Sequence, residues 1–307
     1  MKLSFSSKRR RIGLLLLAAG FGWACESDEP ENGVGGAGAG GAGVALANGG
    51  SDGFVAGNAG SEGGAGGGEA EAGAAGAGGE SGVLRVMALG DSVTRATCWR
   101  ALLWEKLNQS FTSRFDFVGM LGSADSCSPA GYDRDNQAYS SSLITEIVAG
   151  ITTARTCDPN PCPAMTDLQA AFAAATPDIA LIHFGTNDVW NGRAAADILN
   201  GYSAVVDALR AANPTVNVLV AQIIPMNVTA ATCPGCTCAG CPTAIPALNT
   251  EIVTWAEGKS TAESPIIVVD QYTGFDVATD TGDGVHPNLA GSQKMADAWY
   301  EALEPLF

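Results

Sequence analysis

From Val83 to Phe307, short apolar runs alternate with longer stretches whose apolar residues recur at helical spacing, and this alternation limits the possible folds more than any other feature. The runs lie at Leu84–Leu89, Phe115–Val118, Ile179–Phe184, Val216–Ile224 and Ile266–Val269. Most are continuous rather than alternating, as strands buried on both faces are. Helical spacing recurs at Trp99–Leu107, Leu143–Ala149, Thr166–Ala175, Ala194–Ala211, Thr243–Gly258 and Leu289–Leu303. Pro177, Pro214 and Pro265 each stand shortly before a strand-like run, where a preceding helix has stopped. A parallel sheet needs crossover connections, and helices supply them on both faces. The expected class is therefore α/β: a three-layer α/β/α domain with a central, mostly five-stranded parallel sheet. About 225 residues are enough for one such domain with a sizeable core.

The residues before Val83 read differently. Residues 1–24 carry a basic head (Lys2, Lys8, Arg9, Arg10, Arg11) and then an apolar run from Ile12, too short to span a bilayer. This is the pattern of an export signal. Gly22-Trp23-Ala24-Cys25 resembles a bacterial lipobox, which implies lipidation of Cys25 as the mature N-terminus. The alternative is ordinary cleavage near Ala24 and free secretion. Residues 25–82 form a Gly/Ala tract with scattered acids and almost no large apolar residues, so burial cannot offset ordering entropy there. The tract lacks a three-residue period with proline, which excludes collagen. As a flexible tether it would reach on the order of 40 Å. The expected location is the bacterial cell envelope or surface, with membrane contact only through the lipid anchor, and a monomeric domain.

Charge and cysteine usage narrow the partners. The formal net charge is −16, and five of the positive residues lie in the export signal. No basic cluster follows it, so a phosphate backbone would be repelled and nucleic acid is excluded as a partner. Of the 9 cysteines, removing Cys25 leaves Cys98, Cys127, Cys157, Cys162, Cys233, Cys236, Cys238 and Cys241. In an exported chain these are read as disulfide candidates, although connectivity is not fixed by spacing; Cys98–Cys127 and Cys157–Cys162 are two of the pairings open. Four cysteines within Cys233–Cys241 could hold zinc as thiolates, but they are packed more tightly than separated zinc-binding pairs. Disulfides are expected, with no metal and no cofactor.

Four pieces fall where this architecture places chemistry. Gly90-Asp91-Ser92 follows the first strand, Gly185-Thr186-Asn187-Asp188 follows the third, and Asp283 and His286 stand three apart before the last helix. The loop Gly131–Ser142 follows the second strand. Ligands in open α/β sheets bind beyond the carboxyl ends of the strands. Each motif has an ordinary reading as well: Gly-Asp-Ser as a turn, Asn187 or Asp188 as a helix cap, His286-Pro287 as a helix start. Their joint order on one scaffold is far more specific than any one of them.

Taken together these motifs resemble the SGNH hydrolases (the GDSL-type esterases and lipases) over essentially all of Val83–Phe307. D-G-V-H-P-N with L-I-H-F-G-T-N-D is most similar to the carbohydrate-esterase branch that contains acetyl xylan esterases. The resemblance implies the flavodoxin-like fold of that superfamily. It also implies Ser92 as nucleophile, His286 as general base and Asp283 as the carboxylate that orients it. The oxyanion hole would be Ser92 N–H, the backbone N–H at the family's glycine position, and the Asn187 amide. Aligning D-R-D-N-Q-A-Y-S-S-S-L-I with the family pattern puts Ser141 at that glycine position. Serine offers the same N–H unless the site needs positive φ, which a Cβ disfavours.

The chemistry asks for these residue types on its own grounds. A serine needs a base to take its proton, and only a neutral imidazole can do so, so activity should fall as His286 becomes protonated. His183, inside an apolar run, is read as a buried, hydrogen-bonded histidine. Trp99, Trp104 and Trp299 are read as core, while Trp190 is placed where it could stack on sugar. The expected function is an exported serine esterase acting on O-acyl, chiefly O-acetyl, groups of a polysaccharide such as xylan. A lipid-directed esterase or a thioesterase shares the chemistry. Rivals from other classes are a non-catalytic carbohydrate-binding surface lipoprotein and a structural envelope lipoprotein.

Overall fold

The computed structural model describes residues 82–122, 125–127, 129–228 and 238–307. The export signal, Cys25, nearly all of the Gly/Ala tract, Cys233 and Cys236 lie outside the described residues.

Strands β1 (Leu84–Gly90), β2 (Phe115–Phe117), β4 (Ile179–His183), β5 (Asn217–Gln222) and β6 (Ile266–Asp270) form one sheet in the order β2-β1-β4-β5-β6. Every strand pair is parallel. A sixth, two-residue strand, β3 (Gln137–Ala138), pairs beside β1. Among the described residues the sheet thus has six strands rather than the five expected. Gln137–Ala138 is too short to carry a periodic signal, and its pairing with Leu89 and Gly90 is purely tertiary. Leaving β3 aside, this is the strand order of flavodoxin-like folds, whose chain reverses direction across the sheet next to β1.

The longer helices match the sequence reading to within a few residues: α2 (Trp99–Phe111), α3 (Ile144–Ala149), α4 (Met165–Ala175), α6 (Ala195–Ala212), α7 (Cys241–Lys259) and α9 (Leu289–Leu303). Three short helices, α1 (Ser92–Ala96), α5 (Thr186–Trp190) and α8 (Val277–Asp280), were not apparent from periodicity. Each is only one turn or so, set by a cap or a glycine rather than by an apolar stripe. Asp91 accepts the Val93 N–H at the start of α1, and Asp276 accepts the Ala278 N–H at the start of α8.

Alternate side chains of the sheet feed two apolar layers. Met87, Leu89, Ala180, Ile182, Val218 and Val220 pack under α3, α4, α6 and α7. Val86, Ala88, Ile179, Leu181, Leu219 and Ala221 pack under α2 and α9. Trp99 and Trp299 are fully buried in the second layer with ring centroids 5.7 Å apart, as expected of core tryptophans. Trp104 is only partly buried, edge-on to Tyr132. In the same layer Arg100 and Asp125 form an ion pair with no solvent exposure, joined by Arg134 from the loop after β2. Disulfides join Cys98 to Cys127, Cys157 to Cys162, and Cys238 to Cys241. The last ties the start of α7, so those two sulfurs are not thiolates open to zinc.

Candidate active site

The carboxyl end of β1 is the meeting point. Gly90 pairs with His183 at the end of β4 on one side and with Ala138 of β3 on the other. The segment after each strand is therefore delivered to the same edge. Gly90 is required by packing: a Cβ there would lie 2.1 Å from Thr94 Oγ1 and 2.6 Å from the His183 carbonyl oxygen. The chain can pass this crowded point and turn into α1 only without a side chain. Ser92 is the first residue of α1, 4% exposed.

His286 reaches this point from the loop between α8 and α9. Its Nε2 lies 2.9 Å from Ser92 Oγ, and its Nδ1 lies 2.6 Å from Asp283 Oδ2. Asp283 Oδ1 also accepts the backbone N–H groups of His286 (2.7 Å) and Val285 (3.0 Å), so one carboxylate fixes both the ring and the turn. Burial alone would push the Asp283 carboxyl up. The ring bond and charge of His286 and the two backbone N–H groups outweigh it and hold the carboxyl at about 2. Around this turn, Thr281 and Pro287 form an isolated antiparallel bridge, and Gly282 N–H donates to the His286 carbonyl. Gly284 has φ +85°, and a Cβ there would meet Asn227 O at 2.4 Å; that close approach lets Asn227 N–H bond the Gly284 carbonyl at 2.9 Å. The segment after β5 thus braces the histidine loop from outside.

The remaining predicted residues flank Ser92. Asn187, in α5, donates from Nδ2 to the Ser142 carbonyl at 3.1 Å, which fixes the orientation of its amide. Asp188 is buried and accepts the N–H groups of Ile144 and Thr145 and the Thr145 hydroxyl, capping α3 from another element. The structure brings Ser92, Asp283, His286 and Asn187 to one edge and places the turn containing Ser141 beside Asn187.

Ser141 has φ +66°. The glycine-like conformation is therefore kept although the residue is serine, at a cost of roughly 1–2 kcal/mol for the left-handed backbone. The turn is built by Ser142, whose N–H and hydroxyl both donate to the Tyr139 carbonyl.

Two features went beyond the sequence reading. His183 is buried as expected, but neither ring nitrogen has a hydrogen-bond partner among the described residues, and burial lowers its pKa to about 4. Asp91 is completely buried, and burial pushes its carboxyl up to about 7, against the opposing pull of the Val93 N–H and of His286. The Thr186 side chain also pulls the carboxyl down, while Thr94 Oγ1 is buried without a hydrogen-bond partner among the described residues. Trp190 is half-buried and packed against the apolar layer under α6. A cavity of about 830 Å³ borders the histidine loop at Gly282 and Gly284 and is lined by Pro225, Met226, Ile245 and Phe275, but not by Ser92 or His286.

Comparison with known proteins bears on the family and the fold. Residues 88–294 match the model of the GDSL-like lipase/acylhydrolase family. A carbohydrate esterase family 3 structure from Talaromyces cellulolyticus is 32% identical with a TM-score of 0.60, covering 73% of this chain and 98% of that one. An acetyl esterase mutant crystallised with an acetate ion gives the same values. A family 3 carbohydrate esterase from Clostridium thermocellum shares the fold at 24% identity and a TM-score of 0.54, covering 73% of this chain and 96% of that one. A multidomain esterase of Ruminococcus flavefaciens is 27% identical over 240 residues, 73% of this chain, and the chain spans only 29% of that relative's length. The chain belongs to the GDSL-like lipase/acylhydrolase family, the SGNH-type carboxylic-ester hydrolases, and carries their α/β fold.

Proposed function

We propose that this chain is an exported serine esterase that removes O-acyl, chiefly O-acetyl, groups from a polysaccharide such as xylan. The reading is carried by the relay from Ser92 Oγ through His286 to Asp283, with contacts of 2.9 and 2.6 Å. Ser92 Oγ attacks the ester carbonyl while His286 Nε2 takes its proton. The tetrahedral oxyanion collapses, the C–O bond to the sugar breaks, and the imidazolium returns the proton to the departing hydroxyl. Water, deprotonated by the same imidazole, then releases the acid and restores Ser92. Asp283 holds the proton on Nδ1, so that Nε2 faces Ser92 as an acceptor. The oxyanion is met by Ser92 N–H, Ser141 N–H and the free hydrogen of the Asn187 amide.

The substrate class rests on likeness. Relatives about a third identical over nearly their whole length are a family 3 carbohydrate esterase and an acetyl esterase seen with acetate. The acidic composition suits a neutral polymer. Export agrees with the basic and apolar start of the sequence and with disulfides at Cys98–Cys127, Cys157–Cys162 and Cys238–Cys241. A lipid on Cys25 would hold the domain at the envelope surface, facing polymer.

The test is acetate release from acetylated xylan and from a small chromogenic acetate ester, beside the matching butyrate ester. The proposal expects release from the polymer and from acetate in preference to butyrate. Cleavage of small esters with none of the polymer would keep the chemistry and remove the substrate. A preference for long acyl chains would favour a lipid-directed esterase.

A further inference from the structure

The turn bearing Ser141 is the one part of the proposed site whose backbone works against its own side chain, so something outside it must hold it. Three ties are visible. Tyr139 N–H donates to the Gly90 carbonyl at 2.9 Å, fastening the turn's start to β1. Asn187 Nδ2 fastens its far end through the Ser142 carbonyl. The third comes from a segment far from both in sequence. Asp158 exchanges two backbone hydrogen bonds with Ser140, at 2.9 and 3.3 Å, as an isolated antiparallel bridge. Its carboxylate meets the Arg95 guanidinium through Nε at 3.0 Å and Nη2 at 3.4 Å. Arg95 is in α1, three residues after Ser92, and its Nη1 also donates to the Gly122 carbonyl. The Cys157–Cys162 disulfide closes the loop that carries Asp158, and both cysteines are buried.

We propose that Asp158 is a positioning residue for the oxyanion hole: held in the Cys157–Cys162 loop, it ties the backbone beside Ser141 to the helix that begins at Ser92. The nucleophile and the Ser141 N–H are thereby set relative to each other by a contact outside the sheet. This rests on the esterase reading, in which the Ser141 N–H is an oxyanion donor. A glycine in place of Ser141 would take the same conformation unaided and need the tie less. Serine makes the chain dependent on it.

The Asp158 side chain is 59% exposed, so the ion pair itself adds little to overall stability. Oxyanion donors are far more sensitive to displacement, because a shift of about 1 Å can cost up to about a hundredfold in rate. The two roles therefore separate in one experiment on the full chain. Asp158→Ala, Asp158→Asn, Ser141→Gly and Ser141→Gly/Asp158→Ala are compared with the parent on a small acetate ester. The readouts are kcat, KM, melting temperature and affinity for a trifluoromethyl ketone, which forms a tetrahedral adduct on serine. Asp158→Ala is expected to lower kcat about tenfold, with KM changed less than about twofold and the ketone weakened by the same factor as kcat. Asp158→Asn, keeping one acceptor oxygen, should fall between. In the Ser141→Gly background the loss on removing Asp158 should shrink to about threefold or less. Unchanged kcat, a loss confined to KM, or equal losses in both backgrounds would overturn the proposal while leaving the esterase reading intact. If Asp158→Ala does not fold, Asp158→Asn in the two backgrounds makes the same comparison with the same refuting outcome. A parent without esterase activity would overturn the esterase reading itself, and the proposal with it.

Discussion

Replacing Asp283 by asparagine tests the relay at its most informative joint. Asparagine has nearly the same shape, and its Oδ1 can still accept the backbone N–H groups of His286 and Val285, so the turn should survive. The group facing His286 Nδ1 across 2.6 Å would become an NH2 donor. Nδ1 must then be the acceptor, and the ring proton moves to Nε2, which stands 2.9 Å from Ser92 Oγ. The base is lost without any side chain moving. In a fully buried triad this exchange costs about 10⁴ in kcat. Here the Asp283 side chain is 46% exposed, so its charge is partly screened, while the tautomer effect is not. The expected loss is about 10³–10⁴ in kcat, or roughly 4–5 kcal/mol of transition-state stabilisation. Steady-state hydrolysis of a chromogenic acetate ester reads it, with a thermal melt showing the fold unchanged. A loss below about tenfold in a folded variant would refute the assignment of Asp283 as the group that sets the tautomer.

Asn187→Ala should lower kcat by about 10²–10³, since it removes an oxyanion donor and one tie of the Ser141 turn; unchanged kcat would remove Asn187 from the hole. Because the folded Asp91 carboxyl sits above its ordinary value of 3.8, at about 7, folding favours its protonated form. That contribution is full below pH 3.8 and is lost as pH rises toward 7, so Asp91→Asn should gain stability relative to the parent over this window; melting curves with a constant difference across it would contradict the assignment. Asp283 has the opposite sign: its contribution is present above pH 3.8 and is lost as pH falls toward about 2. Replacing Cys98 and Cys127 together by alanine opens a loop of 29 residues and should cost about 3–4 kcal/mol in denaturant unfolding; a change within error would mean that the bridge adds no constraint.

The parts of the fold that were legible in the sequence are those decided locally. Ile179–His183 is a continuous apolar run in the sequence and a fully buried strand in the structure, and Leu289–Leu303 is bounded by its Asn288 cap and its periodicity. The short elements were not legible, because α1 and α5 are single turns started by Asp91 and Gly185 with no apolar stripe, and β3 exists only through its pairing with Leu89 and Gly90, made across tens of residues. The site divides in the same way. Gly-Asp-Ser, Gly-Thr-Asn-Asp and Asp-x-x-His carry their chemistry in their spelling, so Ser92, Asn187, Asp283 and His286 could be named from the sequence. Asp158 could not, since nothing in C-D-P-N-P-C says that it pairs with Ser140 or Arg95. Asp91 was passed over as turn chemistry, although its burial makes it the carboxyl most displaced upward beside the nucleophile. The serine at position 141 was visible as a departure from the family pattern, but only the backbone reveals that the left-handed conformation was kept.

The central claim is that Ser92 carries the acyl group, and it is tested most directly by following a single turnover of the full chain with an acetate ester, quenched in acid. Intact mass and peptide mapping should show one acetyl group on the peptide containing Ser92. Ser92→Ala should show none and should hydrolyse the ester at least about 10⁴-fold more slowly. Acetyl found on another residue, or a Ser92→Ala variant keeping more than about a hundredth of the parent rate, would contradict the serine mechanism outright.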